Sequence, residues 1–270
     1  MKNISGKVVA ITGAALGMGR LTADKFAADG AKLALLDIKQ DQLDQAVNEI
    51  NNKGGSAKGY ICDVSNRAQV YEVFKQIAND LGPVDVLFNN AGVVFGGPLC
   101  EVDDDKLEKT IQINLIAHMW TMKAVLPNMM ARNDGHIINF ASAAGLVGVP
   151  NLVAYCASKS GVIGMTESLR QEVIESGRTG IKFTVIEPSY VATGMFAGVK
   201  PPLLSPWLSP AKMAETIYEA YLNDKVFVRM PVVVKFVPLL KAILSTPLFD
   251  FMAGALKMRQ SMRQWTGRQE

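Results

Sequence analysis

Val8-Val9-Ala10-Ile11-Thr12-Gly13-Ala14-Ala15-Leu16-Gly17-Met18-Gly19 is an apolar run that breaks into a glycine-rich turn and then into helical periodicity. An unbroken apolar run suits a strand covered on both faces, the environment of a parallel sheet. Gly13 permits the tight turn, Gly17 lets the main chain approach a pyrophosphate, and Gly19 lets the next helix pack closely on the strand. Free N–H groups and the dipole at that helix start favour an anion. The stretch therefore reads as strand, phosphate-binding turn and helix, with Leu16 and Met18 in the turn as further ligand contacts. Its spacing is G-x-x-x-G-x-G, not the commoner G-x-G-x-x-G.

The rest of the chain repeats the alternation. Strands are expected at 7–12, 32–37, 56–62, 84–89, 135–141 and 181–187, with a seventh near 226–229. Helices are expected at about 18–29, 41–53, 66–80, 103–131, 151–176 and 209–223, with Gly30 and Gly82 as left-handed caps. This predicts an α/β fold: one Rossmann-type, doubly wound parallel sheet with helices on both faces. No linker divides the 270 residues, so residues 1–230 form the catalytic domain and 231–270 an apolar, basic extension. Pro188 to Pro210 breaks the rhythm and is expected to be a lid. Its Met195, Phe196, Leu203, Leu204, Trp207 and Leu208 are too apolar for a merely solvated loop.

Bulk composition removes several function classes. Cys62, Cys100 and Cys156 show no C-x-x-C spacing, and His118 and His136 are the only histidines, so no metal site is expected. With so few histidines, a proton carrier of another type is needed. The amino terminus lacks a signal-peptide pattern, which makes a reducing, cytoplasmic setting the expectation. Net charge is +3, but residues 225–270 carry eight Lys/Arg against two acids, or +6, and residues 1–224 carry −3. No nucleic-acid partner is expected.

Tyr155-Cys156-Ala157-Ser158-Lys159 places a phenol and an ammonium four residues apart, thirteen residues after Ser142. On a helix that spacing puts both on one face, about 5.4–6 Å apart. A lysine so placed is expected to stabilise tyrosinate, with Ser142 holding a substrate oxygen. Taken alone, the pair is an ordinary helix face; beside the glycine turn it reads as a proton-transfer site. Asp37 ends the second strand 18 residues after Gly19, where a carboxylate accepts hydrogen bonds from an adenosine ribose and Ile38 flanks it. That carboxylate would repel a 2′-phosphate, so NAD is favoured over NADP, although Lys39 argues the other way. Asp37 could equally cap the next helix. Asp63 and Val64 end the third strand, and Asn89-Asn90-Ala91-Gly92 ends the fourth, at the sheet edge where ligands bind.

Thr12-Gly13-x-x-x-Gly17-x-Gly19, Asp63, Asn89-Asn90-Ala91-Gly92, Asn114, Ser142, Tyr155-x-x-x-Lys159 and Pro188-x-x-Val191-x-Thr193 occur in the order and spacing of one family. Over residues 5 to about 230 the chain resembles the short-chain dehydrogenase/reductase family. The resemblance implies strand order 3-2-1-4-5-6-7 and hydride transfer with a nicotinamide cofactor. Tyr155 would be the general acid/base, Lys159 would bind the nicotinamide ribose, Ser142 would orient the substrate oxygen, and Asn114 would hold a water linking Lys159 to solvent. Pro188, Val191 and Thr193 would contact the nicotinamide end and fix its carboxamide. One departure is Ser189, where the family usually has glycine; Gly is the more permissive residue, so the local backbone or pocket is expected to differ.

Residues 231–252 resemble the carboxyl-terminal extension of members acting on lipophilic alcohols such as steroids and retinoids. Lys235, Lys241, Asp250 and three prolines argue against a transmembrane helix. The extension is expected to cover the substrate entrance, to rest on an anionic membrane surface, or simply to pack on its own domain or a neighbouring subunit. A bulky, apolar alcohol or ketone is the expected substrate. Small residues Ala154, Ala157, Ser158, Gly161 and Gly164, together with the resemblance, predict a homodimer or homotetramer. The rival readings are an NADPH-dependent carbonyl reductase and a non-catalytic NAD(H)-binding redox sensor. A sugar-nucleotide epimerase is disfavoured, because nothing after residue 230 is large enough for its substrate domain.

Overall fold

In the computed structural model, which describes residues 2–267, seven parallel strands form one sheet in the order β3-β2-β1-β4-β5-β6-β7. They are β1 Val8–Thr12, β2 Lys32–Asp37, β3 Ser56–Ile61, β4 Val86–Asn89, β5 Gly135–Phe140, β6 Ile181–Pro188 and β7 Phe227–Met230. The helices are α1 Gly17–Ala28, α2 Gln40–Asn52, α3 Arg67–Asp80, α4 Asp104–Ile111, α5 Ala117–Arg132, α6 Val153–Glu175, α7 Pro210–Leu222, α8 Val232–Ile243 and α9 Thr246–Ala255. Gly30 and Gly82 follow α1 and α3 with φ of +83° and +104°, the left-handed caps expected of them.

Strand periodicity explains the two cores. Val9, Ile11, Leu33 and Leu35 point to a layer with Phe26 of α1, Leu43 of α2 and Ile217 of α7. Their neighbours Val8, Ala10, Ala34 and Leu36 point the other way, onto Val70 and Phe74 of α3 and Met122 and Met129 of α5. Both faces of every central strand are thus dry, which is why the sequence shows runs instead of alternation. Strand order reverses between β1 and β4, and the crevice above their carboxyl ends is where such sheets bind ligands.

Two departures from the sequence reading affect the site. The single helix expected over 103–131 is three pieces, because a π turn at Gln112–Ile116 separates α4 from α5. Apolar periodicity runs through that turn unbroken, so nothing in the pattern announced it; such turns are often found at functional sites. The prolines of the extension do not simply interrupt it. Pro231 precedes α8 and Pro247 sits in the first turn of α9, where a missing N–H is harmless, and only Pro238 falls inside a helix. Among the described residues no helix is long and apolar enough to cross a membrane. Arg268, Gln269 and Glu270, the end of the extension, lie outside the described residues.

Candidate active site

The glycine turn is held by backbone crowding. Gly13 (φ +63°) and Gly17 (φ +59°) adopt left-handed conformations, and a Cβ on Gly13 would lie 2.9 Å from the Cα of Ala91. A Cβ on Gly19 would lie 2.2 Å from the Gly13 carbonyl oxygen, so helix and turn touch there through bare backbone. Asn90 fastens the turn to the end of β4. Its Nδ2 donates to the carbonyls of Thr12 (3.0 Å) and Gly13 (2.9 Å), while Thr12 Oγ1 accepts from the N–H groups of Asn90 and Ala91 at 3.0 and 3.1 Å. Leu16 caps α1 in an extended conformation without a side-chain bond, and the first turn holds no acid. Its orphan N–H groups are therefore left for an anionic ligand, and the turn fits a pyrophosphate.

The cleft beside this turn has a volume of about 270 Å³ and runs from Asp37, Ile38, Asp63 and Val64 to Pro188, Val191 and Thr193. Every expected cofactor residue lines it except Gly19, whose part is packing. Asp37 does not cap α2. Its Oδ1 accepts from Ile38 N (2.8 Å) and Lys39 N (3.2 Å), its Oδ2 accepts from Ala15 N (3.0 Å), and Lys39 is the N-cap residue. The carboxylate thus ties the glycine turn to β2 while facing the cleft. Asp63 accepts from the backbone and hydroxyl of Ser65 at 2.9 and 2.6 Å and also borders the cleft.

At the other end, Ser142, Tyr155 and Lys159 converge. Ser142 follows β5, and Tyr155 and Lys159 lie one turn apart on α6, with the ammonium 5.7 Å from the phenol ring centroid. All three are buried and border the same cleft. Burial pushes the Tyr155 pKa upward, and the neighbouring Ser142 hydroxyl offsets it only in part. Lys159 is itself brought down to about 7 by burial, and its Nζ donates to the Phe140 carbonyl at 2.6 Å. Burial, and not the neighbouring ammonium, sets the direction of the Tyr155 shift. Desolvation acts on both groups and opposes both charges. His118, buried near Lys159, is lowered to about 3 by burial and that neighbouring charge, so it stays neutral. His136 is structural, its ring nitrogens 2.9 Å from Lys2 Nζ and 2.8 Å from Thr184 Oγ1.

Asn114 sits in the π turn, fully buried and outside the cleft lining. Its amide exchanges bonds with the N–H (2.8 Å) and carbonyl (2.9 Å) of Val93, and Nδ2 also reaches Ser158 Oγ at 3.3 Å. The side chain therefore anchors the segment after β4 to α6 and has little capacity left for a water.

A second cavity of about 100 Å³ opens from the same point. Ser142, Tyr155, Ser189 and Phe196 border both spaces. The remaining walls are almost all apolar and come from three places: the segment between β5 and α6 (Ala144, Val147, Leu152), the lid (Leu203) and the extension (Val237, Met252). Backbone bonds join lid to tail: Lys200 N to Ser261 O (3.2 Å), Leu203 N to Leu256 O (3.0 Å) and Thr266 N to Ala197 O (3.0 Å). Side chains add Tyr190 OH to Ser261 Oγ (2.9 Å) and Trp265 Nε1 to Met195 O (3.2 Å). Ser189 is not in a left-handed conformation, so glycine is not required there. Its hydroxyl accepts from Ser205 Oγ at 2.7 Å and holds the lid instead. Sequence reasoning noticed Ser189 as a departure and Phe196 as apolar, yet placed neither beside Tyr155. Cys62 and Gln42, which also border the cleft, carry no sequence signal at all.

A phosphate-binding turn at the switch point, an acidic residue ending β2 and a Ser-Tyr-Lys group at the far end define a nicotinamide-dependent oxidoreductase. The chain matches the short chain dehydrogenase family over residues 7–203 and belongs to it. Epidermal retinol dehydrogenase 2 of Mus musculus is 38% identical over 273 residues, covering 100% of this chain and 88% of that protein. Estradiol 17-beta-dehydrogenase 11 of Mus musculus is 38% identical over 232 residues, covering 85% and 77%. Among solved structures, a short chain dehydrogenase/reductase from Burkholderia phymatum in complex with NAD superposes with TM-score 0.82 at 29% identity, covering 90% and 95% of the two chains. A metagenomic short-chain oxidoreductase in complex with NADP gives TM-score 0.71 at 29% identity over 86% and 98%.

Proposed function

We propose that the protein interconverts a bulky, uncharged alcohol and its carbonyl compound, with NAD(H) as cofactor and Tyr155 as acid/base. The carrying observation is the position of Tyr155, which together with Ser142 borders both the cofactor cleft and the apolar chamber. When bound, the nicotinamide ring supplies the hydride acceptor in oxidation and the donor in reduction. In oxidation Tyr155 takes the hydroxyl proton, the C–O bond becomes double, and the carbon-bound hydrogen leaves with its electron pair as hydride. Ser142 steadies the oxygen in both directions. A phenolate is needed for that step, and burial opposes it. A protonated Lys159 favours phenolate, as does any further positive charge brought to the site. Lys159 would also hold the ribose, and the Asn114 main chain, rather than its engaged side chain, would carry the water of the proton path.

Asp37 supports NAD over NADP, since a 2′-phosphate there would meet a carboxylate at close range. Lys39, which borders the same end of the cleft, keeps an NADPH-dependent reductase as the second reading. Relatives named for retinol and estradiol, and a chamber walled by apolar side chains, support a lipophilic substrate. The three cysteines are free thiols, in keeping with a reducing, cytoplasmic setting.

We also propose a homo-oligomer through α6. Part of its small-residue set is used within the chain, where Ser158 meets Asn114 and a Cβ on Gly161 would lie 2.6 Å from the Leu115 side chain. Of that set Ala157 and Gly164 remain exposed and, with Val153 and Ser160 beside them, form a stripe open to a second copy.

Steroid, retinoid, long-chain and short-chain alcohols, each tested with NAD+ and NADP+ by absorbance of the reduced nicotinamide, decide the reading. Turnover of a lipophilic alcohol with NAD+ is expected. Activity confined to NADP+, or to small polar alcohols, would refute it.

A further inference from the structure

We propose that the outward face of α8, together with α9 and the lid tip, is a docking surface for an anionic lipid bilayer. Docking would set the apolar chamber against lipid. The inference rests on reading that chamber as the site of a lipophilic substrate.

Helix α8 is apolar on two sides. Val233, Val234, Val237 and Leu240 face the chamber. Val232, Phe236, Leu239 and Ile243, spaced by four, three and four residues, form a stripe on the outside, with Ile243 66% exposed. A surface helix ordinarily turns charged and polar residues to water on that side. The neighbouring helix α9 adds Leu248 and Phe251, the latter 74% exposed. The lid contributes Leu203, Trp207 and Leu204, which is 70% exposed with φ of +66°, a conformation unfavourable for leucine. Of sixteen large apolar side chains exposed among the described residues, these are nine. Single exposed apolar side chains are normal, whereas one concentrated patch marks a contact surface.

Charge selects the partner. Between residues 231 and 267 the chain carries Lys235, Lys241, Lys257, Arg259 and Arg263 against Asp250 alone, five to one, or +4. Arg259 already donates to the Asp250 carbonyl at 2.7 Å and lies 3.9 Å from its carboxylate. Lys235 flanks the stripe on α8 itself. A second copy docked on the same face would bring two basic ends together. Anionic head groups instead attract them, each Lys or Arg strengthening binding about five-fold.

Cosedimentation with vesicles tests the proposal, comparing phosphatidylcholine alone with phosphatidylcholine–phosphatidylglycerol mixtures. The wild-type chain is expected to sediment with the anionic vesicles and far less with the neutral ones. Phe236→Glu with Ile243→Glu should weaken binding about a hundred-fold, because two large apolar side chains no longer insert. Lys235→Glu with Lys257→Glu should weaken it about ten-fold or more and leave the apolar stripe intact. NADH binding by fluorescence titration and mass in solution should stay unchanged in both. A wild-type chain that stays in the supernatant with both vesicle types overturns the proposal. So does an apolar-stripe variant that still sediments normally but changes mass, since the face would then join copies of the chain. Sedimentation without NADH binding would instead break the active-site reading and leave the docking surface standing.

Discussion

The cofactor cleft and the apolar chamber share Tyr155 but are built by different means. The cleft is made by contiguous motifs whose backbone does the work: Gly13 and Gly17 at positive φ, Gly19 against bare carbonyl, Asn90 stapling one turn to the next strand. The chamber is made by side chains from segments far apart in sequence, with Phe196 and Leu203 from the lid facing Val237 and Met252 from the extension. Backbone-built sites tolerate almost no change at the residues that allow close approach. Side-chain-built sites tolerate substitution and change what they accept, which is how one fold serves many substrates.

The largest difference is expected at Gly19. Gly19→Ala puts a Cβ into the Gly13 carbonyl. Overpacking of this kind costs about 1–3 kcal/mol; if the turn is displaced by that much in the bound state, NADH affinity falls by about 5- to 150-fold. Fluorescence titration with unchanged affinity would remove the close-packing account. The seam that joins the extension to the lid should respond differently. Trp265→Ala removes the bond to Met195 and the packing on Gly96, so stability should fall by about 3 kcal/mol in a thermal melt. The KM for a lipophilic alcohol should rise while NADH affinity holds. Equal loss of both would show that cleft and chamber are one unit.

Lys159 sharpens the comparison through pH. Its folded pKa of about 7 lies below the 10.5 of a lysine in water, so between those values the unfolded chain binds more protons. Stability contributed at this site therefore rises with pH across that window, and the full penalty of the buried charge stands below it. Lys159→Met should raise the melting temperature of the ligand-free protein at pH 6 and have less effect near pH 10. Equal shifts at both pH values would contradict the burial argument. The smallest effect belongs to Ser189→Gly, which loses one hydrogen bond to Ser205, about 1 kcal/mol. It should change the KM for a lipophilic alcohol by a few-fold at most.

The same contrast decides what the sequence disclosed. Strands, sheet order, caps and the glycine turn were legible, since each rests on local periodicity or on one residue's backbone freedom, as at Gly30 and Gly82. So was the meeting of Ser142, Tyr155 and Lys159, because helical spacing fixes the last two. The π turn at Gln112–Ile116 was hidden because it leaves the apolar pattern intact. The upward push of burial on Tyr155 is not legible, because burial is a tertiary property that no i, i+4 spacing contains. Ser158 and Gly161 looked like partner contacts until Asn114 and Leu115, more than forty residues away, proved to occupy them. The walls of the chamber were hidden for the same reason, since α8 and the lid meet only in the fold.

The central claim is that one phenol, placed between the two spaces, moves the proton. Tyr155→Phe tests it most directly, with turnover of a lipophilic alcohol and NADH affinity measured on the same preparation. Turnover should fall by about a thousand-fold or more, while NADH affinity changes by no more than a few-fold. A variant that keeps turnover near the wild-type rate would contradict the account.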